Sequence, residues 1–277
     1  MNENPLKAHF RRPAIYIPLP SNGEFYSEDA LVKTENNEYP IFPMTAIDEI
    51  TYRTPDALFN GEAVASVVKS CVPNIQNPWA MPASDLTSIL TAIRIASFGH
   101  NYEIETVCPK CSEMADYNID LRPILDSIEI PDYSKPKLIN GLEIFFKPIT
   151  YKELNDNGKI NFEEQQLAKS LTDTENPLSE KEKILMLSES FKKVSMFTIE
   201  TIANNIGYIK ADDVIVDQHE YIVDFLKNCR REEYQDIKDY VIKQRDDAEI
   251  KPIQIECTEC KHVFEQQFTM DMSSFFA

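Results

Sequence analysis

The sequence predicts an α+β protein, on three observations. Two Cys-x-x-Cys pairs, Cys108/Cys111 and Cys257/Cys260, each lie between runs that alternate apolar and polar residues, as in a β-hairpin with the cysteines at its tip. Apolar residues at helical spacing mark segments before the first pair and much of the stretch from 150 to 250. Only six glycines accompany 17 prolines, so the connections are stiff and irregular. The expected architecture is two hairpins closed together by the C-terminus, with helices packed around them and a mostly helical segment inserted between the cysteine pairs. In numbers, 1–40 reads as an extended arm, 41–149 as an α+β core with the first hairpin, 150–250 as the helical insert, and 251–277 as the second hairpin and C-terminal tail.

Each element has a local reason. Pro5, Pro13, Pro18, Pro20 and the turn "PSNGE" keep the first segment extended, with a basic spot at Arg11 and Arg12. "YPIFPMTAIDEI" reads as a short strand entering a helix, with Thr45 as N-cap and Asp48 and Glu49 suited to the positive helix start. "NGEAVASVVKSCV" is a second helix, stopped before Pro73. "SDLTSILTAIRIASFG" is the clearest helix: Ser84 can cap it, Gly99 can close it, and Leu86, Ile89, Leu90, Ile93 and Ala96 form one apolar face. The strand "NYEIETV" runs into Cys108 and "MADYNI" returns from Cys111; "GLEIFFKP" is a further strand. In the insert, Ser179 and Glu182 have capping-box spacing. Ile215, Ile222, Val223 and Leu226 read as one helix face, with His219 as a hydrogen-bonded core histidine, and Tyr234, Ile237 and Val241 as another.

The end of the chain repeats the earlier pattern. Ile253 and Ile255 alternate with polar residues, Cys257-Thr-Glu-Cys260 follows, and strand-like sequence continues to Phe268. Two knuckles with two thiols each supply the four ligands that a structural zinc ion takes in a tetrahedron. Cys108, Cys111, Cys257 and Cys260 are therefore expected to bind one structural Zn²⁺ per chain, across a gap of roughly 145 residues. Buried reduced thiols or a redox pair are the alternatives. A thioredoxin-like motif, however, leads into a helix, whereas strand patterns flank both pairs here. Four thiolates fill the coordination shell and leave no place for water or substrate. His262 reads as a solvated or supporting residue rather than a ligand, and Cys71 and Cys229 as small core residues.

Composition narrows the function. A net charge of −18 opposes a nucleic-acid surface, which needs clustered Lys and Arg, and Lys110 and Lys261 are the only basic residues within the two knuckles. No apolar run approaches the ~20 residues of a membrane span, and the N-terminus lacks the apolar core and cleavage site of a signal peptide. A cytoplasmic protein is expected. With four histidines, no Gly-x-Ser-x-Gly elbow, no His-Glu-x-x-His and no phosphate loop, no catalytic constellation is assembled, and no small-molecule substrate is expected.

The ordered segments "LPSNGEFY", "YPIFPMTAIDEI", "LTSILTAIRIASFGH", "VCPKCSEMADYNIDL", "FFKPITYKEL" and "CTECKHVFEQQFTMDMSSFF" together resemble the baseplate hub assembly proteins of T-even-type contractile-tailed bacteriophages. The resemblance implies a non-enzymatic late protein, made in the host cytoplasm, that acts in hub assembly through contacts with other hub proteins; some relatives are described as assembly catalysts, and some are shorter. It leaves open whether the chain stays in the virion. A zinc-ribbon nucleic-acid-binding regulator is the alternative reading of the residues themselves, and a zinc-clamped enzyme a third. For contacts, the arm is expected to order on a partner. Phe275 and Phe276 either anchor an interface or dock on the chain's own core.

Overall fold

The computed structural model describes residues 5–54, 60–172, 179–268, 270, 275 and 276. The chain divides into two compact units, Met1–Ile130 with Ala248–Ala277, and Pro131–Asp247. It is a mixed α+β protein whose sheets are small and antiparallel.

In the first unit, β1 (Ile15–Pro18) pairs antiparallel with β2 (Glu38–Ile41), so the part of the expected arm 1–40 from residue 15 onward belongs to a two-stranded ribbon. The alternation Ile15, Ile17, Leu19 is strand periodicity, and Ile17, Leu19, Tyr39 and Ile41 are buried. Pro18 and Pro40 are tolerated because a two-stranded ribbon has only edges. The intervening loop is held as well: Leu31 bridges to Ile75, and the Gln76 N–H donates to the Ala30 carbonyl. Arg11, read as part of a basic spot with Arg12, is the centre of a knot. Its guanidinium donates to the carbonyls of Pro43 and Ser70 and to the Asp48 carboxylate at 3.2 Å.

Thr45 caps α1 (Ala46–Tyr52) in a full capping box with Asp48. The second helix, α2 (Glu62–Cys71), buries Val64, Val67, Val68 and Cys71, and stops as expected before Pro73. The central helix is α3 (Ala83–Phe98), with Leu86, Ile89, Leu90 and Ile93 buried and Ala96 half-buried. It begins at Ala83, so Ser84 lies inside its first turn rather than capping it, and Gly99, at φ +87°, closes it. Asp85 accepts hydrogen bonds from the Ser21 N–H, the Ser21 hydroxyl and the Tyr26 hydroxyl, and so pins the loop after β1 to the helix start. Two hairpins complete the unit: β3 (Asn101–Val107) with β4 (Met114–Asp120), the latter followed by α4 (Leu121–Asp126), and β9 (Ile253–Glu256) with β10 (Val263–Gln266). At the chain end Phe275 and Phe276 are fully buried. Phe276 meets Tyr52 edge-on at 4.7 Å, Phe275 meets Tyr102 at 5.3 Å, and Arg94 donates to the Phe275 carbonyl at 3.0 Å. They dock on the chain's own core, the second of the two alternatives that the sequence left open.

The second unit is not a helical bundle. It is a four-stranded antiparallel sheet in the order β5 (Lys137–Ile139), β6 (Leu142–Phe146), β7 (Ile206–Ala211) and β8 (Val214–Val216). The long helices α5 (Tyr151–Thr172) and α6 (Glu180–Asn204) lie between β6 and β7 in sequence, and α7 (His219–Asn228) and α8 (Arg231–Asp247) follow β8. Ser179 and Glu182 form the expected capping box on α6. Ile144, Phe146, Ile206 and Ile209 from the sheet pack with Ile202, Ile222, Leu226 and Ile237 from the helices. Tyr234 and Val241 pack against this core from α8, as their spacing predicted. Two expectations fail at 212–219. Asp212, at φ +51°, turns the chain into a hairpin, so Ile215 belongs to a strand and is 60% exposed. His219 is exposed at the start of α7, its ring nitrogen 2.9 Å from the Glu200 carboxylate, and is no core residue. A β-branched Val-Ile-Val run after two aspartates favours a strand, and that local preference overrides the helical spacing.

Candidate metal centre

The two cysteine knuckles have the same backbone. In the first, the Cys108 N–H donates to the Glu113 carbonyl and the Ser112 N–H to the Cys108 carbonyl, both at 2.9 Å. In the second, the Cys257 N–H donates to the His262 carbonyl at 2.9 Å and the Lys261 N–H to the Cys257 carbonyl at 3.0 Å. Ser112 (φ +58°) and Lys261 (φ +57°) occupy the same left-handed position, just after the second cysteine of each pair. The last strand pair before each tip is equivalent too, Val107 with Met114 and Glu256 with Val263. This tight reversal turns both thiols of a pair to one side of the tip.

The four sulfurs meet. All lie within 4.8 Å of one another, with Cys108 to Cys260 at 3.7 Å and Cys111 to Cys257 at 3.6 Å. A disulfide would need about 2.05 Å, and all four cysteines are free thiols. Four sulfurs placed ~2.3 Å from a central ion in a tetrahedron stand about 3.8 Å apart, close to the observed separations. Cys108 and Cys257 are buried, Cys260 is half-buried and Cys111 is exposed, so the cluster sits at the surface edge of the paired hairpins.

Ionisation in this crowd is uneven. The backbone N–H groups of Cys260 and Glu259 pull the Cys257 thiol down to about 6, despite its desolvation. Burial opposes ionisation of Cys108, but the N–H groups of Cys111 and Lys110 leave it below its ordinary value. At Cys111 the Glu113 N–H favours the thiolate, yet desolvation and the three neighbouring sulfurs push the thiol up to about 12. Four thiolates at this distance repel, and a divalent cation among them removes the conflict. The donors, their spacing and their electrostatics all suit a metal ion, and among the described residues no other cluster of this kind is present.

The hairpins are held together by more than the thiols. Tyr117 and Phe264 meet edge-on at 6.4 Å and pack with Ile255, Cys108 and Cys257, while Ile104, Ile119 and Ile253 cover them. The Thr106 hydroxyl donates to Gln266 at 2.6 Å across the two hairpins. Burial, and then the adjacent Cys257 sulfur, raise the Tyr117 phenol above its ordinary value, so it stays protonated beside the cluster. Strand alternation pointed to these inward positions. The left-handed roles of Ser112 and Lys261 carried no signal, since neither is a glycine. His262 contributes its carbonyl to the second knuckle, and its ring stacks on Phe264 at 6.4 Å. Cys71 is fully buried, and Cys229 is half-buried with its thiol directed at the Leu226 carbonyl.

Fold and site together define an α+β protein in which residues far apart in sequence converge on a four-thiol cluster able to hold a metal ion. The family of the T4 bacteriophage base plate protein matches residues 33–277, nearly the whole sequence, and the chain belongs to that family. Comparison with curated proteins and with solved structures returned no match. No helix among the described residues is long and apolar enough to cross a membrane.

Proposed function

We propose that this baseplate-family protein acts in assembling the baseplate hub of a phage tail, through contacts with other hub proteins and without catalysis. It would do so in the host cytoplasm before the tail is complete. The family match over residues 33–277 carries this reading. In it, Cys108, Cys111, Cys257 and Cys260 bind one structural zinc ion. Bound there, zinc would supply a charge that keeps all four thiolates ionised, and the two knuckles would fix their orientation. A filled four-sulfur shell favours a structural role over a catalytic one.

The charge of −18 supports protein partners over nucleic acid, and Lys110 and Lys261 stay the only cations in the knuckles. Complementation tests the reading. A phage lacking this gene should accumulate baseplate wedges and tails that fail to join, and the wild-type gene supplied in trans should restore complete baseplates. Complete baseplates in the mutant, with a defect confined to transcription or DNA replication, would instead favour a zinc-ribbon regulator.

A further inference from the structure

The Tyr117 hydroxyl is buried and, among the described residues, finds no hydrogen-bond partner. Native folds seldom leave such a group unpaired, because the hydration it loses is not returned. Tyr117 stands on β4 of the first hairpin, opposite Ile104 in the strand register. Its ring meets Phe264 of the second hairpin and packs in one cluster with Cys257. The polar groups beside its hydroxyl are the Cys257 sulfur and the Thr258 backbone N–H. One hairpin thus brings a hydroxyl to the knuckle of the other.

The two hairpins differ at this position. Counted from the equivalent strand pairs at the tips, Val107 with Met114 and Glu256 with Val263, Tyr117 in β4 matches Gln266 in β10. Gln266 has partners: it accepts from the Thr106 hydroxyl and donates to the Gln267 carbonyl. The Tyr117 hydroxyl has none, and its nearest candidate acceptor is a sulfur. A neutral thiol accepts hydrogen bonds weakly, which accounts for the idle hydroxyl. A thiolate ligating a metal keeps much of its negative charge and accepts far better.

We infer that Tyr117 is a positioning residue of the metal centre, whose hydroxyl donates a hydrogen bond to the Cys257 thiolate once the metal is bound. The inference rests on the metal reading of the four cysteines given above. Such a bond disperses part of the charge that four thiolates bring to a divalent ion. It also makes that sulfur a poorer nucleophile, and it ties the second knuckle to the first hairpin.

Tyr117→Phe tests this on the full-length, metal-loaded protein, since the ring stays and only the hydroxyl goes. Competition with a chromogenic chelator should show zinc affinity lower by about tenfold or more, as loss of a group supporting a ligand does. In the cobalt(II)-substituted variant the sulfur-to-metal charge-transfer band should move to lower energy, because the sulfur regains electron density. Iodoacetamide followed by peptide mapping should find Cys257 alkylated several-fold faster in the zinc-loaded variant. Ile255→Val, which trims the same cluster and leaves the hydroxyl, should not move the band. A Tyr117→Phe protein with wild-type affinity, band and Cys257 reactivity overturns the inference and leaves the metal reading standing. Lower affinity with an unmoved band is loss of packing alone and overturns it too. A wild-type protein that binds neither zinc nor cobalt overturns both.

Discussion

Lys261 spends its backbone freedom on the turn that aims Cys257 and Cys260. A side-chain-bearing residue in the left-handed region costs roughly 1–2 kcal/mol, and Lys261 gains little in return, since its 3.8 Å pair with Glu256 is exposed. Lys261→Gly relieves the strain but adds freedom to the unfolded chain. Thermal unfolding of the metal-loaded protein should therefore show a net gain of about 0.5–1 kcal/mol, and Lys261→Val, β-branched in the same turn, a loss. Asp85 offers a second residue-scale prediction. Burial pushes its carboxyl up to about 6, although the hydrogen bonds from Ser21 and Tyr26 favour the charged form. A carboxyl raised on folding holds its proton while the unfolded chain has already lost its own, so folding binds protons and stability falls as pH rises from about 4 to about 6. Two pKa units correspond to about 3 kcal/mol in all. The neutral Asp85→Asn cannot show that loss. In urea titrations the variant should therefore gain on the wild type by about 1–2 kcal/mol between pH 5 and pH 7; parallel profiles would mean that Asp85 is ionised throughout.

Among the elements, α3 is where local pattern and tertiary packing agree most closely. Leu90 is fully buried at the middle of its stripe, and Leu90→Ala should cost about 2–5 kcal/mol in chemical denaturation; a cost below about 0.5 kcal/mol is the surface range and would misplace the face. The sequence made this helix, the N-cap at Thr45, the capping box at Ser179 and both knuckle hairpins readable, because each is decided by residues a few positions apart. It hid elements whose reason lies far along the chain. β1 looked like part of an arm because its partner, β2, lies some twenty residues further on, and because Arg11 gives no hint in sequence that it reaches Ser70. Of the second unit's sheet only β6 was read, from "GLEIFFKP", and its partners were missed for the same reason. β6 and β7 pair across the two long helices, so the strong helical periodicity of the insert drew attention from the short strands that follow it. The candidate site was legible down to its four cysteines through their repeated spacing. Its supporting contacts, Tyr117 on Phe264 and Thr106 on Gln266, were legible only as inward-facing positions, since nothing local says which side chain they meet.

For the whole molecule, the cluster joins residues 146 positions apart, Cys111 and Cys257, and brings the C-terminal hairpin back to the first one. Closing so long a loop costs the unfolded chain entropy that grows only slowly with length, and the hairpin interface is small. Zinc held at that junction would carry much of the closure, as it does in small metal-dependent folds. The same return of the chain carries Phe275 and Phe276 to their sites against Tyr102 and Tyr52. The most direct measurement is metal content combined with X-ray absorption on the protein purified without chelator. The expected result is about one zinc per chain, with four sulfur neighbours at about 2.3 Å, lost together in a Cys108→Ser, Cys257→Ser double variant. A folded wild-type protein without bound metal, in which all four thiols react freely and stability matches that double variant, would contradict it.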